Sequence, residues 1–219
     1  MSIKGIIFDL DGTLVNSIED ISDSMNVVLK ASDYPIHTYE TYETFIGSGI
    51  RNLVSKAIPS SVNTEQEIDS AFIAMLDHYK DNCTNKTSAY KGIPKLLKTL
   101  YSYGIKMAVL SNKADGLTKK VVTDKLPSIF KPVIGLTSES LKKPNPEVLL
   151  SICEKLELDI KKTFYIGDSI IDIQTAKNAG LISVVVTWGF QSKEVLLEEN
   201  PDYVIETPQE LLYLLDLLS

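Results

Sequence analysis

The chain has 219 residues, 44% of them hydrophobic and 23% charged, which allows one large α/β domain or a core domain carrying a smaller inserted one. Its formal net charge of −7 argues against a general polyanion binder, because phosphate backbones select a positive surface. No apolar run approaches the ~20 residues that span a bilayer, and the opening run of residues 3–8 is too short for a secretory leader and ends in Asp9, so a cytoplasmic protein with neither nucleic-acid nor membrane partners is expected.

Residues 3–8 (Ile-Lys-Gly-Ile-Ile-Phe) are β-branched and aromatic and predict a buried strand, closed abruptly by Asp9-Leu10-Asp11-Gly12-Thr13. From residue 17 to about residue 79 the period changes. Ile18, Ile21, Met25, Val28 and Leu29 recur at helical spacing, as do Ile50, Leu53, Val54 and Ala57, and then Ile68, Ala71, Phe72, Met75 and Leu76. That stretch predicts a small helical unit. From Tyr90 onward strands and helices alternate: a helix through Ile93, Leu96, Leu97 and Leu100, a strand over 107–110 ending at Ser111, another helix, and a short apolar Val133-Ile134. There follow a helix over 146–156, a strand over 164–166 ending at Gly167-Asp168, a helix over 173–179 stopped by Gly180, and a strand over 182–186. A helix near 195–197, a strand over 203–205 and a closing helix from Pro208 complete the pattern, with the Leu-rich 211–218 tail expected to pack in the core.

Strand–helix alternation with continuously apolar strands signals a parallel sheet covered on both faces. The expected fold is therefore α/β, a Rossmann-like parallel sheet core spanning 1–15 and 86–219, with a small α-helical cap domain, 16–85, inserted after the first strand. Cys83 and Cys153 lack any Cys-x-x-Cys context and read as small, semi-buried apolar residues. His37 and His78 have no metal-ligand spacing and are expected to be ordinary surface or cap residues. No coiled-coil seam is present, so a monomer is expected, with a homodimer as the alternative.

Ligands of open parallel sheets bind at the carboxyl ends of the strands, so the polar residues at those ends can be tested for a shared purpose. They are Asp9 and Asp11, Ser111 and Asn112, and Asp168 with Asp172 one helical turn on; a loop before the 146–156 helix adds Lys142 and Lys143. Four carboxylates in one place repel unless a cation sits among them, and an oxygen-rich site with few fixed ligands suits Mg2+, which keeps waters and accepts a phosphate oxygen. A lysine and a hydroxyl complete a cradle for a phosphoryl group, and an aspartate nucleophile can carry it as an acyl phosphate.

These residues resemble the four ordered motifs of the haloacid-dehalogenase (HAD) superfamily of phosphatases. Asp9-Leu10-Asp11-Gly12-Thr13 is similar to the first, Ser111-Asn112 to the second, Lys143-Pro144 to the third, and Gly167-Asp168-Ser169 with Asp172 to the fourth. The similarity runs over nearly the whole chain and is greatest to the phosphoglycolate-phosphatase-like branch, whose helical cap follows the first motif; Ile46-Gly47-Ser48-Gly49-Ile50-Arg51 resembles that branch's cap loop. Asp-x-Asp-Gly-Thr alone arises by chance in roughly 3 of 1,000 chains of this length, and three further motifs in order make coincidence far rarer.

The resemblance implies a Mg2+-dependent phosphatase acting on a small phosphorylated metabolite, phosphoglycolate or similar. It makes Asp9 the nucleophile, Asp11 the general acid and base, and Asp9, Asp11 (through its main chain) and Asp168 the metal ligands. Thr13, Ser111, Asn112 and Lys143 would hold the phosphoryl group, with Ser111 and Lys143 also counted as catalytic, and Asp172 would orient Lys143 or metal-bound water. In the inserted unit Gly47, Ser48, Gly49 and Arg51 are expected to contact substrate, against the plainer alternatives of a helix start for the glycines and a surface ion pair for Arg51. Lys142 is expected to be solvated. The branch usually carries Asp-Ser where this chain has Asn16-Ser17, a change that keeps a helix-capping oxygen.

The acid at position 11 disfavours dehalogenation, since the dehalogenases of the superfamily lack it. Three other activities compete: hydrolysis of pyrophosphate or another phosphoanhydride, a β-phosphoglucomutase-like phosphomutase, and a phospho-accepting receiver module. The last carries its acceptor aspartate on a later strand, where Leu110 here leads into Ser111.

Overall fold

In the computed structural model residues 3–47 and 49–218 are described, and the chain divides into two compact units. One joins Met1–Asn16 to Ala89–Ser219; the other is Ser17–Ser88. The chain passes between them in two two-residue strands, β2 (Val15–Asn16) and β3 (Ser88–Ala89).

The first unit is built on six strands, β1 (Gly5–Phe8), β4 (Lys106–Ala114), β5 (Val133–Leu136), β6 (Thr163–Gly167), β7 (Ile182–Val186) and β8 (Tyr203–Ile205). They run parallel in the order β5-β4-β1-β6-β7-β8. All four β1 residues are buried, as expected for a central strand whose side chains meet helices on both faces. Ile6, Ile7 and Phe8 contribute the about 1.5–3 kcal/mol each that full burial of such side chains brings. Gly5 packs closely under Leu158: a Cβ there would stand 2.4 Å from Leu158 Cδ1, so the leucine side chain would have to shift.

Six helices connect and cover the strands: α5 (Ile93–Ser102), α6 (Asp115–Lys125), α7 (Glu147–Lys155), α8 (Ile170–Ala179), α9 (Lys193–Glu198) and α10 (Pro208–Leu217). One continuous cluster packs Ile7, Ala108, Leu110 and Tyr165 of the sheet against Leu149 and Ile152 of α7 and Ala176 and Ala179 of α8. Cys153 belongs to this cluster and is unbridged, and its burial pushes the thiol up to about 11. The tail differs from the expectation of uniform core packing. Leu211, Leu214 and Leu215 are buried, but Leu217 is exposed, because a helix against a core turns only one face inward.

The second unit contains α1 (Ile18–Ala31), α2 (Tyr39–Glu43), α3 (Ile50–Ala57) and α4 (Glu65–Asn82). The apolar residues at helical spacing are its core: Ile18, Ile21, Met25 and Leu29 of α1, Leu53 and Val54 of α3, and Ile68, Ala71, Met75 and Tyr79 of α4 are buried. Helix α2 has no apolar period to betray it. It is started by the Thr38 hydroxyl, which accepts from Thr41 N–H at 3.3 Å, and fixed by Tyr42, whose hydroxyl donates to Asn26 Oδ1 at 2.8 Å. His37 packs edge-on to Tyr42 and Phe45 and bonds the Ala57 carbonyl at 2.9 Å, so it organises this unit from within. Asp20, buried, accepts from the Lys86 and Thr87 N–H groups and from Thr87 Oγ1 at 2.7 Å, tying the end of the unit to α1. The residue capping α1 is Ser17, with no side-chain capping bond of its own. Among the described residues no helix is long and apolar enough to cross a membrane.

Candidate active site

The strands β4, β1 and β6 are neighbours, and each ends in residues singled out from the sequence. Asp9 follows β1 directly and its N–H still donates to Ile166 O, 2.8 Å away on β6. The chain then turns back on itself: Gly12 N–H bonds Val15 O at 2.9 Å and Leu14 N–H bonds Leu10 O at 2.9 Å. Leu10 is buried in the core while Asp9 and Asp11, on either side of it, carry the polar function.

Asp168 explains two glycines. It stands between Gly12, where a Cβ would lie 2.1 Å from Asp168 Oδ2, and Gly189, where one would lie 2.2 Å from Asp168 Cβ. Gly12 also adopts φ +85°, a left-handed conformation that glycine takes without strain. The Asp168 carboxylate accepts from Thr13 Oγ1 at 3.2 Å and Phe190 N–H at 2.8 Å, and Trp188 Nε1 donates to Thr13 O at 3.1 Å. The hydroxyl of Thr13, expected on the substrate, is committed to Asp168.

Lys143 lies among acids. Its ammonium is 2.7 Å from Asp172 Oδ1 and 2.9 Å from Asp9 Oδ1, and its Nζ is 5.7 Å from the ring centre of Tyr165. Burial works against its charge, yet Asp172 and Asp9 hold its pKa well above the usual lysine value, so it is a permanent cation. Its backbone is gripped by the Asn112 side chain, which accepts from Lys143 N–H at 2.9 Å and donates to Lys143 O at 3.3 Å. Asn112 therefore places the lysine with its side chain. Lys142, by contrast, pairs with Glu139 at 3.1 Å and faces outward.

Asp172 has no valence to spare. Besides Lys143, it accepts from Tyr165 OH at 3.1 Å, from Ser169 Oγ at 2.5 Å and from Ser169 N–H at 3.2 Å. The last of these, together with the Asp172 N–H bond to Ser169 Oγ at 3.3 Å, forms a capping box that starts α8, so one residue helps begin the helix and seats the lysine.

Asp9 is the opposite case. Its Oδ1 is buried and, though within ion-pair reach of Lys143, makes no hydrogen bond. Burial raises its pKa to about 7, against the lowering effect of Lys143 and with the help of Asp172. Asp168 is likewise raised well above the usual carboxylate range, by burial first and then by Asp172 and Asp9. Oxygens of Asp9, Asp168 and Asp172 lie within 4.8 Å of one another. A buried group of three acids facing the Lys143 ammonium, with raised pKa values on Asp9 and Asp168, is the arrangement a divalent cation relieves. Since Asp172 is saturated, Asp9 and Asp168 are the side chains that fit it.

Asp11 lies outside that group. Both its oxygens are 3.0 Å from Lys113 Nζ, so Lys113, and not a metal, occupies its carboxylate. Ser111 is buried, with its Oγ accepting from Lys113 N–H at 3.3 Å. Sequence reasoning missed Lys113, Tyr165 and the loop 188–190. For Lys113 the spacing of two from Ser111 gave no dependable signal, because β4 shifts register against β5 between Leu110 and Ala114.

In the second unit Gly47 and Gly49 take φ of +113° and +80°, and Gly49 is the residue preceding α3, the conformation of a glycine-started helix. The guanidinium of Arg51 pairs with Glu65 at 2.8 Å and Asp69 at 2.6 Å. Ser48, expected on the substrate, lies outside the described residues.

Comparison with known proteins follows the same lines. The model of the haloacid dehalogenase-like hydrolase family matches residues 6–186. The chain is 33% identical to the phosphoglycolate phosphatase of Aliivibrio fischeri over 99% of this chain and 97% of that one. It is 32% identical to the phosphoglycolate phosphatase of Aquifex aeolicus, over 98% and 97%. The crystal structure of a candidate phosphoglycolate phosphatase from Lactobacillus delbrueckii subsp. bulgaricus superimposes with a TM-score of 0.92 at 29% identity, covering 98% of this chain and 99% of that one.

Proposed function

The chain belongs to the haloacid dehalogenase-like hydrolase family and is a phosphatase, a hydrolase of phosphoric monoesters, and from that premise we propose that it removes phosphate from phosphoglycolate or a similarly small phosphorylated metabolite, with Mg2+, through an aspartyl-phosphate on Asp9. The observation that carries this reading is the Lys143 ammonium, 2.9 Å from Asp9 and 2.7 Å from Asp172, within the buried group of Asp9, Asp168 and Asp172.

Asp9 and Asp168 would supply the carboxylates for Mg2+ and Asp11 its main-chain carbonyl, and the ion would offset the negative charge of the phosphoryl oxygens and the acids around it. An Asp9 carboxylate oxygen attacks phosphorus in line, forming the Asp9 O–P bond as the P–O bond to the substrate alcohol breaks. Asp11 gives a proton to the departing alcohol oxygen. Water then attacks the same phosphorus, Asp11 takes the proton back, the Asp9 O–P bond breaks, and inorganic phosphate leaves. Lys143 stays charged through both steps and offsets the negative charge on Asp9 and the phosphoryl group. Ser111 and the main-chain N–H of Asn112 hold a phosphoryl oxygen.

A panel assay tests it: 2-phosphoglycolate, hexose phosphates and pyrophosphate, each with Mg2+ and with EDTA. The expected result is phosphate release from 2-phosphoglycolate that stops on chelation. Faster cleavage of pyrophosphate, or conversion of a hexose phosphate to an isomer with no free phosphate, overturns the substrate class.

A further inference from the structure

We propose that Lys113 is a positioning residue for Asp11, aiming the acid and base carboxylate at the oxygen that leaves phosphorus; this rests on the reading of Asp11 as the proton carrier. Among the described residues, Lys113 makes every hydrogen bond and ion pair that the Asp11 carboxylate has, at 3.0 Å to each oxygen. The backbone around Asp11 is fixed by the turn from Leu10 to Val15, so the remaining freedom is the rotation of its side chain, and Lys113 is what stops it.

Stability does not account for the pair. The side chains are 2% and 13% exposed, and an ion pair this deep repays little more than the desolvation it costs. An apolar side chain of similar length fills the space as well but leaves Asp11 free to turn toward the other acids or the metal. The strand supplies the geometry. Ser111 and Lys113 both lie in the stretch of β4 where its pairing with β5 shifts register, between Leu110 and Ala114, and Lys113 N–H is bonded to Ser111 Oγ at 3.3 Å. One strand end thereby carries the hydroxyl for the phosphoryl group and the ammonium for the acid that protonates the leaving group.

A proton donor matters only to a leaving group that needs a proton. The alkoxide of phosphoglycolate does; p-nitrophenolate departs without one. In single-turnover experiments with Mg2+, Lys113→Met is expected to slow the first release of glycolate about 100-fold, while the p-nitrophenol burst from p-nitrophenyl phosphate changes by about threefold or less. Lys113→Arg, which keeps the charge, is expected to restore part of the glycolate release. Equal losses on both substrates, or no loss on either, overturn the proposal. Should Lys113→Met not fold, Lys113→Gln is read by the same two rates. Asp11→Asn separates the two ideas: normal glycolate release from it sinks the acid and base reading itself. An inactive Asp11→Asn beside a Lys113→Met that behaves as wild type on both substrates sinks only the role of Lys113.

Discussion

Asp9→Asn is expected to lower phosphate release by at least about 10,000-fold and, in the same molecule, to raise the melting temperature of the metal-free protein above pH 7. The loss of activity follows from the removal of the attacking oxygen. The gain in stability follows from the state of Asp9 without metal. Its carboxyl is buried, one oxygen has no hydrogen bond, and its pKa stands at about 7, whereas in an unfolded chain an aspartate titrates near about 3.9. Between those values the folded protein holds a proton that the unfolded chain has released, so metal-free stability falls as pH rises from about 4 through about 7 and stays at its low value above that. Asparagine carries no charge to bury, so the variant's melting temperature is expected to fall less across this window. Asp168, raised by the same causes, keeps a residual slope in the variant. Differential scanning calorimetry of both proteins in EDTA from pH 5 to pH 8 checks the sign; a variant less stable than wild type at pH 8 refutes it.

Lys143→Met is expected to fail in both respects, activity and stability. The ammonium holds Asp172 at 2.7 Å and Asp9 at 2.9 Å, and methionine fills the space without charge. Removing one partner of a buried ion pair strands the other, at about 3 kcal/mol, and here Asp172 is also the residue that starts α8. Turnover is expected to fall about 100 to 1,000-fold, the effect of deleting a charge aimed at the reacting oxygens. Urea unfolding and kcat measure the two losses. A variant of wild-type stability and activity shows that the pair is not what holds this site.

The fold and the site were legible in the sequence to different degrees. Strands β1, β6 and β7 could be read because apolar runs such as Ile182-Ser183-Val184-Val185-Val186 end at turn residues, and parallel sheets put ligands at those ends. Helices α1, α3 and α4 could be read from their apolar period. Helix α2 could not, since five residues with Tyr42 as the single buried side chain leave no period. Strand β4 runs on to Ala114, past the apolar stretch that marks it, because Ser111, Asn112 and Lys113 stay extended while serving the site. Lys113 and Asn112 carry the general lesson. A lysine near a strand end is ordinarily solvated, and an asparagine ordinarily a turn; only the three-dimensional approach of Asp11 to one, and of the Lys143 backbone to the other, shows their employment. Gly189 and Phe190 are similar, for their relation to Asp168 depends on the β7 end lying beside β6. Arg51 was legible as a pair-forming residue in type, but its partners Glu65 and Asp69 are 14 and 18 residues away, beyond any local rule.

The most direct measurement is a rapid acid quench during turnover of a substrate labelled with 32P in its phosphoryl group, followed by peptide mapping. The expected result is a hydroxylamine-labile label on the peptide containing Asp9, present with Mg2+ and missing from Asp9→Asn. Turnover that proceeds with no protein-bound phosphoryl group, or with the label on any other side chain, contradicts the assignment of Asp9 as the residue that receives the phosphoryl group.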